Sequence, residues 1–278
     1  MNKIHFIIIK KAHIACFLLI ALIFCMMYFF LNDSLTVGTS NYVDMSMPPN
    51  PGNTGKLAII IDDFGQNRNG VEEMMSIEAH LTFAVMPFMT FSQSDAENAY
   101  NKGYEVIVHL PLEASGGKLS WVGPRPIMAD MSEDKVKAIV NDSFESVPHA
   151  VGANIHMGSK AGEDENVISS ILDVIKSKRL FFVDSRSCRH PIAKSIADNK
   201  GVVCFERNIF LDGGRSISAI KKQLETAGKM ALDRGEAVAI GHVGTEGGRD
   251  TAQAIAEMLP EFKEKGIRIV FTSELGKK

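Results

Sequence analysis

The segment 56–65, KLAIIIDDFG, decides how the rest of the chain is read. Leu57 to Ile61 is apolar without a break, so both alternating faces are apolar, and the run ends abruptly on Asp62 and Asp63. A run that short is too brief for a helix, and it suits a strand buried on both sides, as in a parallel sheet. The same pattern recurs downstream, which places further strands at Leu81 to Met86, Glu105 to Val108, Val151 to Ile155, Leu180 to Val183, Ile209 to Leu211, Ala237 to Ile240 and Ile267 to Phe271. Stretches of helical period lie between them, including Ser132 to Ser146, Asn166 to Lys178, Ile217 to Arg234 and Asp250 to Lys265. The last opens on an Asp250-Thr251 pair suited to capping. Strand and helix in alternation predict a parallel sheet with crossover helices.

The residues at the strand exits carry the next signal. The exits read Asp62-Asp63, Pro87, His109, His156, Asp184, Asp212, His242 and Thr272-Ser273, so six of the eight carry an Asp or His that packing does not require. In an α/β barrel the C-terminal ends of successive strands converge on one face, whereas in an open doubly wound sheet they spread along an edge. The predicted fold is therefore a distorted (β/α) barrel of seven to eight mostly parallel strands. No GxGxxG is present after the first strand, which sets dinucleotides aside.

One carboxylate with two imidazoles can hold a divalent ion such as Zn²⁺ and leave positions open for water and substrate. His109 and His156 supply the imidazoles, and one of Asp62 and Asp63 the carboxylate. Consecutive residues leaving a strand are expected to point to opposite sides, so the two aspartates are expected to take different roles. Glu113, in HLPLE, is a candidate to orient an imidazole. His242, between glycines in AIGHVG, is a candidate to protonate a leaving group. Asp184 and Arg186 are candidates for substrate contact or for pairing with each other. Trp121 is a candidate platform for a sugar ring. The 244–249 segment, GTEGGR, reads as a plain Gly-rich turn rather than an anion cradle.

Composition narrows the partners. The chain has 278 residues, 45% of them hydrophobic, enough for one large domain with a full core, and its net charge of -3 offers no basic surface to neutralise nucleic-acid phosphates. Of four cysteines only Cys188 and Cys204 fall in the folded part, as a disulfide or as two free thiols.

Residues 14–31, IACFLLIALIFCMMYFFL, form an apolar run of 18 with Lys3, Lys10 and Lys11 before it. That length crosses a hydrocarbon core of roughly 30 Å. The lysines predict a cytoplasmic N-terminus (1–12), a signal anchor (13–31) and an exported C-terminal part. A cleaved signal peptide, which would make the protein secreted, is the less favoured reading. Residues 32–55, with Pro48, Pro49 and Pro51, read as a flexible linker to a domain at 56–278. In a bacterium this describes an inner-membrane protein whose domain faces the periplasm or cell wall.

The motifs IIIDDFG, TFAVMP, VIVHLPLE, GANIHMGS, FFVDSR, FLD and AIGHVG, in this order, resemble the divergent polysaccharide deacetylase family, related to the NodB-type carbohydrate esterases. The resemblance runs from about Lys56 to Ser273. It implies a divalent-metal site with Asp63, His109 and His156 as ligands, Asp62 as general base and His242 as general acid. The implied substrate is a glycan, peptidoglycan or another N-acetylated polysaccharide. The usual deacetylase takes both metal histidines from one His-x-x-x-His segment, whereas His109 and His156 stand 47 residues apart. Two functions are expected on these grounds. One is a metal-dependent hydrolase of an acylated envelope sugar, and the other an inactive envelope module that binds glycan or a protein partner.

Overall fold

The computed structural model describes residues 54–277. The expected anchor and linker lie outside these residues, and among the described ones no helix is long and apolar enough to cross a membrane. The chain runs through β1 (Gly55–Phe64), α1 (Val71–Met74), β2 (Thr82–Val85), α2 (Ser92–Asn101), β3 (Glu105–Leu112), α3 (Leu119–Val122), α4 (Glu133–Ser146) and β4 (Gly152–Met157). It continues through α5 (Glu165–Lys178), β5 (Phe181–Asp184), α6 (Ala193–Lys200), β6 (Cys204–Glu206) and β7 (Ile209–Phe210). It ends with α7 (Ile217–Arg234), β8 (Glu236–His242), α8 (Arg249–Glu264) and β9 (Ile267–Val270).

The nine strands form one sheet in the order β6-β5-β4-β3-β2-β1-β8-β7, and β9 pairs with the first residues of β1. Every strand pairing is parallel. The outermost strands, β6 and β7, are consecutive in the chain. Between them Arg207 N donates to Asp184 O at 3.0 Å and Asn208 N to Val238 O at 2.9 Å, so two residues stitch the edges of the sheet together. This is the distorted parallel (β/α) barrel expected, with one strand more than the eight read from the sequence. The extra strand, β6, has three residues and carries too little pattern to be seen.

Period-two alternation divides the core. Leu57, Ile59 and Ile61 pack on the helix side of the sheet, with Val136, Ile168, Leu224 and Ile255. Ala58 and Ile60 join Ala84, Ile107, Val183, Val238, Ile240 and Val270 in a second cluster that contains no helix residue and fills the inside of the curved sheet. Each such fully buried aliphatic side chain contributes roughly 1.5–3 kcal/mol. Continuing the inner parity past the apolar residues gives Asp62 on β1, His109 on β3, Asn154 and His156 on β4, and His242 on β8. The alternation that builds the core therefore also aims the polar exits into the mouth of the barrel.

One local expectation is corrected, and of the two cysteine alternatives the free thiols are found. α8 is not capped by the Asp250-Thr251 pair: Gly248 stands at its N-cap with no side-chain bond, and Thr251 Oγ1 donates instead to Asp212 Oδ2 at 3.0 Å. Cys188 and Cys204 are free thiols, and burial pushes the Cys204 thiol up to about 12.

Candidate metal centre

Asp63 does not leave β1 as a regular strand residue would. The pairing of β1 with β2 slips between Ile61 and Phe64, and Asp63 takes a left-handed φ of 70°. A bulge of this kind re-aims a side chain. Both carboxylates consequently face His109, Asp62 Oδ2 at 3.7 Å and Asp63 Oδ1 at 3.4 Å from its Nε2. The expectation that adjacent aspartates point to opposite sides fails here, because it assumes an unbroken pleat.

Asp63 Oδ1 also lies 3.2 Å from His156 Nδ1, and the two imidazoles approach at 3.1 Å between His156 Nδ1 and His109 Nε2. The three side chains can each offer one ligand atom within 4.8 Å of the others. Among the described residues Asp63 Oδ1 is buried and accepts no hydrogen bond of good geometry, with only the two imidazole nitrogens beside it, a costly state for a carboxylate oxygen unless a cation meets it. The outer nitrogens fix the tautomers. His109 Nδ1 is 2.7 Å from Asn154 Oδ1, which can only accept, so Nδ1 carries a proton and Nε2 is left for the cluster. His156 Nε2 is 3.0 Å from the carbonyl oxygen of Trp121, which likewise leaves Nδ1 for the cluster. Three acceptors thus converge on one point, and this donor set fits a divalent ion.

Electrostatics reflect that convergence. Burial opposes ionisation of Asp63, but the two imidazoles overcome it and hold its carboxyl well below the usual carboxylate range. Burial also depresses His109, yet Asp62 and Asp63 prevail and its pKa is raised. Burial pushes the Asp62 carboxyl up, against the pull of His109, of His242 and of the Asn154 amide. Asn154 Nδ2 donates to Asp62 Oδ1 at 2.7 Å, so one amide holds both the candidate base and a candidate ligand.

On β8, His242 pairs in register with Asp62. Its Nδ1 is 2.9 Å from Asp212 Oδ1, and its backbone N–H donates to Asp212 Oδ2 at 2.6 Å. Burial lowers the imidazole pKa, but the Asp212 bond and the nearby aspartates raise it to about 9. The turn after β8 packs tightly against this pair: a Cβ on Gly247 would sit 2.0 Å from Thr251 Oγ1 and 2.3 Å from Asp212 Oδ2. The backbone of the 244–249 turn binds its surroundings, Gly244 N to Asn69 O at 2.8 Å and Gly248 N to His242 O at 3.1 Å. Arg249 Nε meets Glu73 at 2.5 Å, so this segment is a packed turn.

A cavity of about 560 Å³ opens on these groups, lined by Asp62, Asp63, His109, His156 and His242 together with Trp121, Ser185, Arg207 and Phe210. Trp121 is 59% exposed and Phe210 40%, so both present apolar faces to whatever enters.

Three sequence candidates stand elsewhere. Glu113 accepts from Ala129 N at 3.0 Å and pairs with Lys160 at 2.8 Å; among the described residues it bonds no imidazole, and Asn154 does that work instead. Asp184 has the outward parity of Phe182, lines no cavity wall and accepts from Arg186 N at 2.7 Å. The Arg186 guanidinium reaches Glu206 at 3.9 Å rather than Asp184. Asn154, Arg207 and Phe210 are site residues absent from the sequence candidates, and Asp212 appears there only as a strand exit with no role. Asn154 carries a signal, since it stands two residues before His156 and so on the same face of β4.

A family model described as divergent polysaccharide deacetylase matches residues 59–276. An uncharacterized protein of Escherichia coli strain K12, YibQ, is 33% identical over 189 residues, which is 68% of this chain and 58% of that protein. An uncharacterized protein of Haemophilus influenzae is 31% identical over 188 residues, 67% of this chain and 66% of that one. The chain thus matches under two thirds of the length of these relatives. An uncharacterized protein of Agrobacterium tumefaciens C58, ATU2773, shares the fold with a TM-score of 0.73 at 20% identity, over 81% of this chain and 91% of that one.

Proposed function

This chain belongs to the divergent polysaccharide deacetylase family, and from that premise we propose that it is a metal-dependent hydrolase that removes N-acetyl groups from an envelope or extracellular glycan. One observation carries the reading: the buried, unpartnered Oδ1 of Asp63, met by two imidazole nitrogens whose lone pairs are turned toward it. Asp63, His109 and His156 would hold the ion, and two nitrogens with one carboxylate oxygen suit zinc. When bound, such an ion supplies Lewis acidity toward an acetamide carbonyl and toward water.

The chain's own groups supply the proton transfers. Asp62, kept from the role of ligand by its bond to Asn154, takes a proton from the attacking water. His242, held as imidazolium by Asp212, gives its proton to the amine as the C–N bond breaks. Acetate and a free amino sugar leave. Trp121 and Phe210 offer their faces to the sugar ring and keep bulk water from the site. We assign the apolar run 14–31 to a membrane anchor, with residues 56–278 outside the cytoplasm, where such a glycan is found.

Metal content of the purified protein and acetate release from chitooligosaccharides or peptidoglycan test this reading. The expected result is about one divalent ion per chain and a loss of roughly 10²–10⁴-fold in turnover for Asp62→Asn. Absence of metal, together with equal acetate release by wild type and variant, would leave only a glycan-binding or protein-docking module.

A further inference from the structure

Beside the metal cavity lies a smaller one of about 290 Å³, whose walls carry hydrogen-bond donors and no carboxylate: Arg186, Arg189, Arg207 and Asn208, with Cys188 and Pro191. Arg207 lines both cavities. It is held in place, with Nε donating to Ser185 O at 2.6 Å, Nη2 to Arg186 O at 3.1 Å, and its guanidinium 5.3 Å above the Phe210 ring. Those two bonds leave further N–H donors of the fork unspent. Asn208 uses its side-chain oxygen on Val238 N at 2.7 Å, which leaves its NH₂ group as a donor.

The charge gathered here has few counter-ions at contact distance, although Asp184 and Asp62 act on Arg207 from farther away. Among the described residues no carboxylate lies within ion-pair distance of Arg189 or Arg207, and Arg186 has only Glu206 at 3.9 Å. Arg68, Arg125, Arg215 and Arg249 each have a carboxylate partner, whereas Arg179, Arg234 and Arg268 share the lack of one among the described residues but line neither cavity. Asp184, 2% exposed beneath the loop, binds the backbone of Arg186 and lines neither cavity. Burial first, and then the neighbouring Arg186, push the Arg207 guanidinium below its ordinary pKa, against the opposing pull of Asp184 and Asp62.

We infer that the arginine cavity is a subsite for an anionic group, a carboxylate or a phosphate, carried by the glycan close to the acetamide received at Asp63. The preferred substrate is then an acidic N-acetylated glycan rather than a neutral one. Guanidinium groups suit both anions because their planar forks bind paired oxygens. The acetamide end of this inference rests on the deacetylase reading, whereas the anion subsite rests on the arginines alone.

Trp121, the single tryptophan, lines the metal cavity, so intrinsic fluorescence of the full chain reports ligand entry. The probes are N-acetylglucosamine as the neutral reference, N-acetylmuramic acid as the carboxylate arm and N-acetylglucosamine 6-phosphate as the phosphate arm. An anionic sugar is expected to bind at least about tenfold tighter than the neutral one, an advantage worth ~1.4 kcal/mol. That advantage should shrink to within about twofold in an Arg186→Gln, Arg189→Gln double variant, the lost salt bridges being the cause. Which arm wins identifies the anion. Equal binding of all three, an advantage that survives the double substitution, or no binding at all overturns the inference. Should the variant fail to fold, the methyl ester of N-acetylmuramic acid makes the same comparison on the wild type, and an ester that binds like the acid is equally fatal. Acetate release from peptidoglycan, which carries acidic N-acetylated sugars, and from neutral chitooligosaccharides, measured alongside, separates the two ideas. Turnover without anion preference sinks the subsite alone, and anion preference without turnover sinks the deacetylase reading alone.

Discussion

His109 Nδ1 and Asn154 Oδ1 lie 2.7 Å apart, and the other end of the same amide holds Asp62 at 2.7 Å, so a single side chain sets both a ligand's tautomer and the position of the candidate base. Asn154→Ala is expected to weaken zinc binding about 10–100-fold, as loss of an outer partner of a metal-bound histidine does. Asn154→Asp separates the two duties. It keeps an acceptor for His109 but turns the donor toward Asp62 into a second carboxylate, so zinc affinity should hold while turnover falls. Chelator competition and acetate release measure the two effects, and an Ala variant that binds zinc like wild type would remove Asn154 from the site.

Adding zinc is expected to raise the melting temperature, because an ion that binds only the folded chain stabilises it by about 2.7 kcal/mol at a hundredfold excess over Kd. Asp63→Gly should cancel that response. The same substitution relieves the left-handed φ of 70° at this position but removes the pairing of Asp63 with His109 and His156, so in the metal-free protein the two effects oppose each other and the melting temperature should shift by less than the lost zinc response. Thermal denaturation with and without chelator checks both halves.

The pH profile should carry the mark of His242. Its pKa, raised to about 9, keeps the imidazole protonated and able to act as an acid through neutral pH, and that capacity is lost as pH climbs through the raised value. A cation at Asp63 offsets part of the rise, so the descending limb of activity should fall between the ordinary histidine value near 6.5 and about 9. Asp212→Asn should move the limb downward. For stability the sign is the same: folded His242 binds its proton more tightly than the unfolded chain, so the stabilisation is full below about 6.5 and fades as pH rises to about 9. A limb that stays put in Asp212→Asn would show that the dyad does not set it.

Gly247→Ala puts a methyl group against Thr251 and Asp212, at 2.0 and 2.3 Å. The turn must shift to admit it, at a cost of about 1–3 kcal/mol. The expected signature is a lower melting temperature together with reduced turnover and unchanged zinc affinity, since none of the metal-facing residues is touched.

Glu113→Gln gives a contrasting outcome. The carboxylate binds Lys160 and the Ala129 backbone, not an imidazole, so zinc affinity should stay within about twofold of wild type. A large loss of affinity would return Glu113 to the site.

The barrel was legible because its strands are buried on both faces and its polar residues fall where those strands stop. The same alternation, counted through from Ile60, Ile107 and Ile240, leads to Asp62, His109 and His242. Counting parity would also have set Asp184 aside, since it shares the outward face of Phe182, and would have brought Asn154 in beside His156. Asp63 lay beyond any count. Its direction comes from a slip in strand pairing that the letters IIIDDFG do not announce. Glu113 misled for a different reason: a carboxylate near a histidine in sequence suggests a partner, while three-dimensional neighbours belong to other strands. Arg207 was missed because the seam between β6 and β7 is too short to show a pattern.

Asp63 also bears on how this lineage could age. A residue held in a left-handed torsion without being glycine carries strain that its oxygen must offset, here by meeting His109 and His156. A relative with no need of a cation would be free to relax the torsion at position 63 before changing either histidine. Glycine there among relatives would then mark branches that no longer hold a cation, and aspartate those that still can.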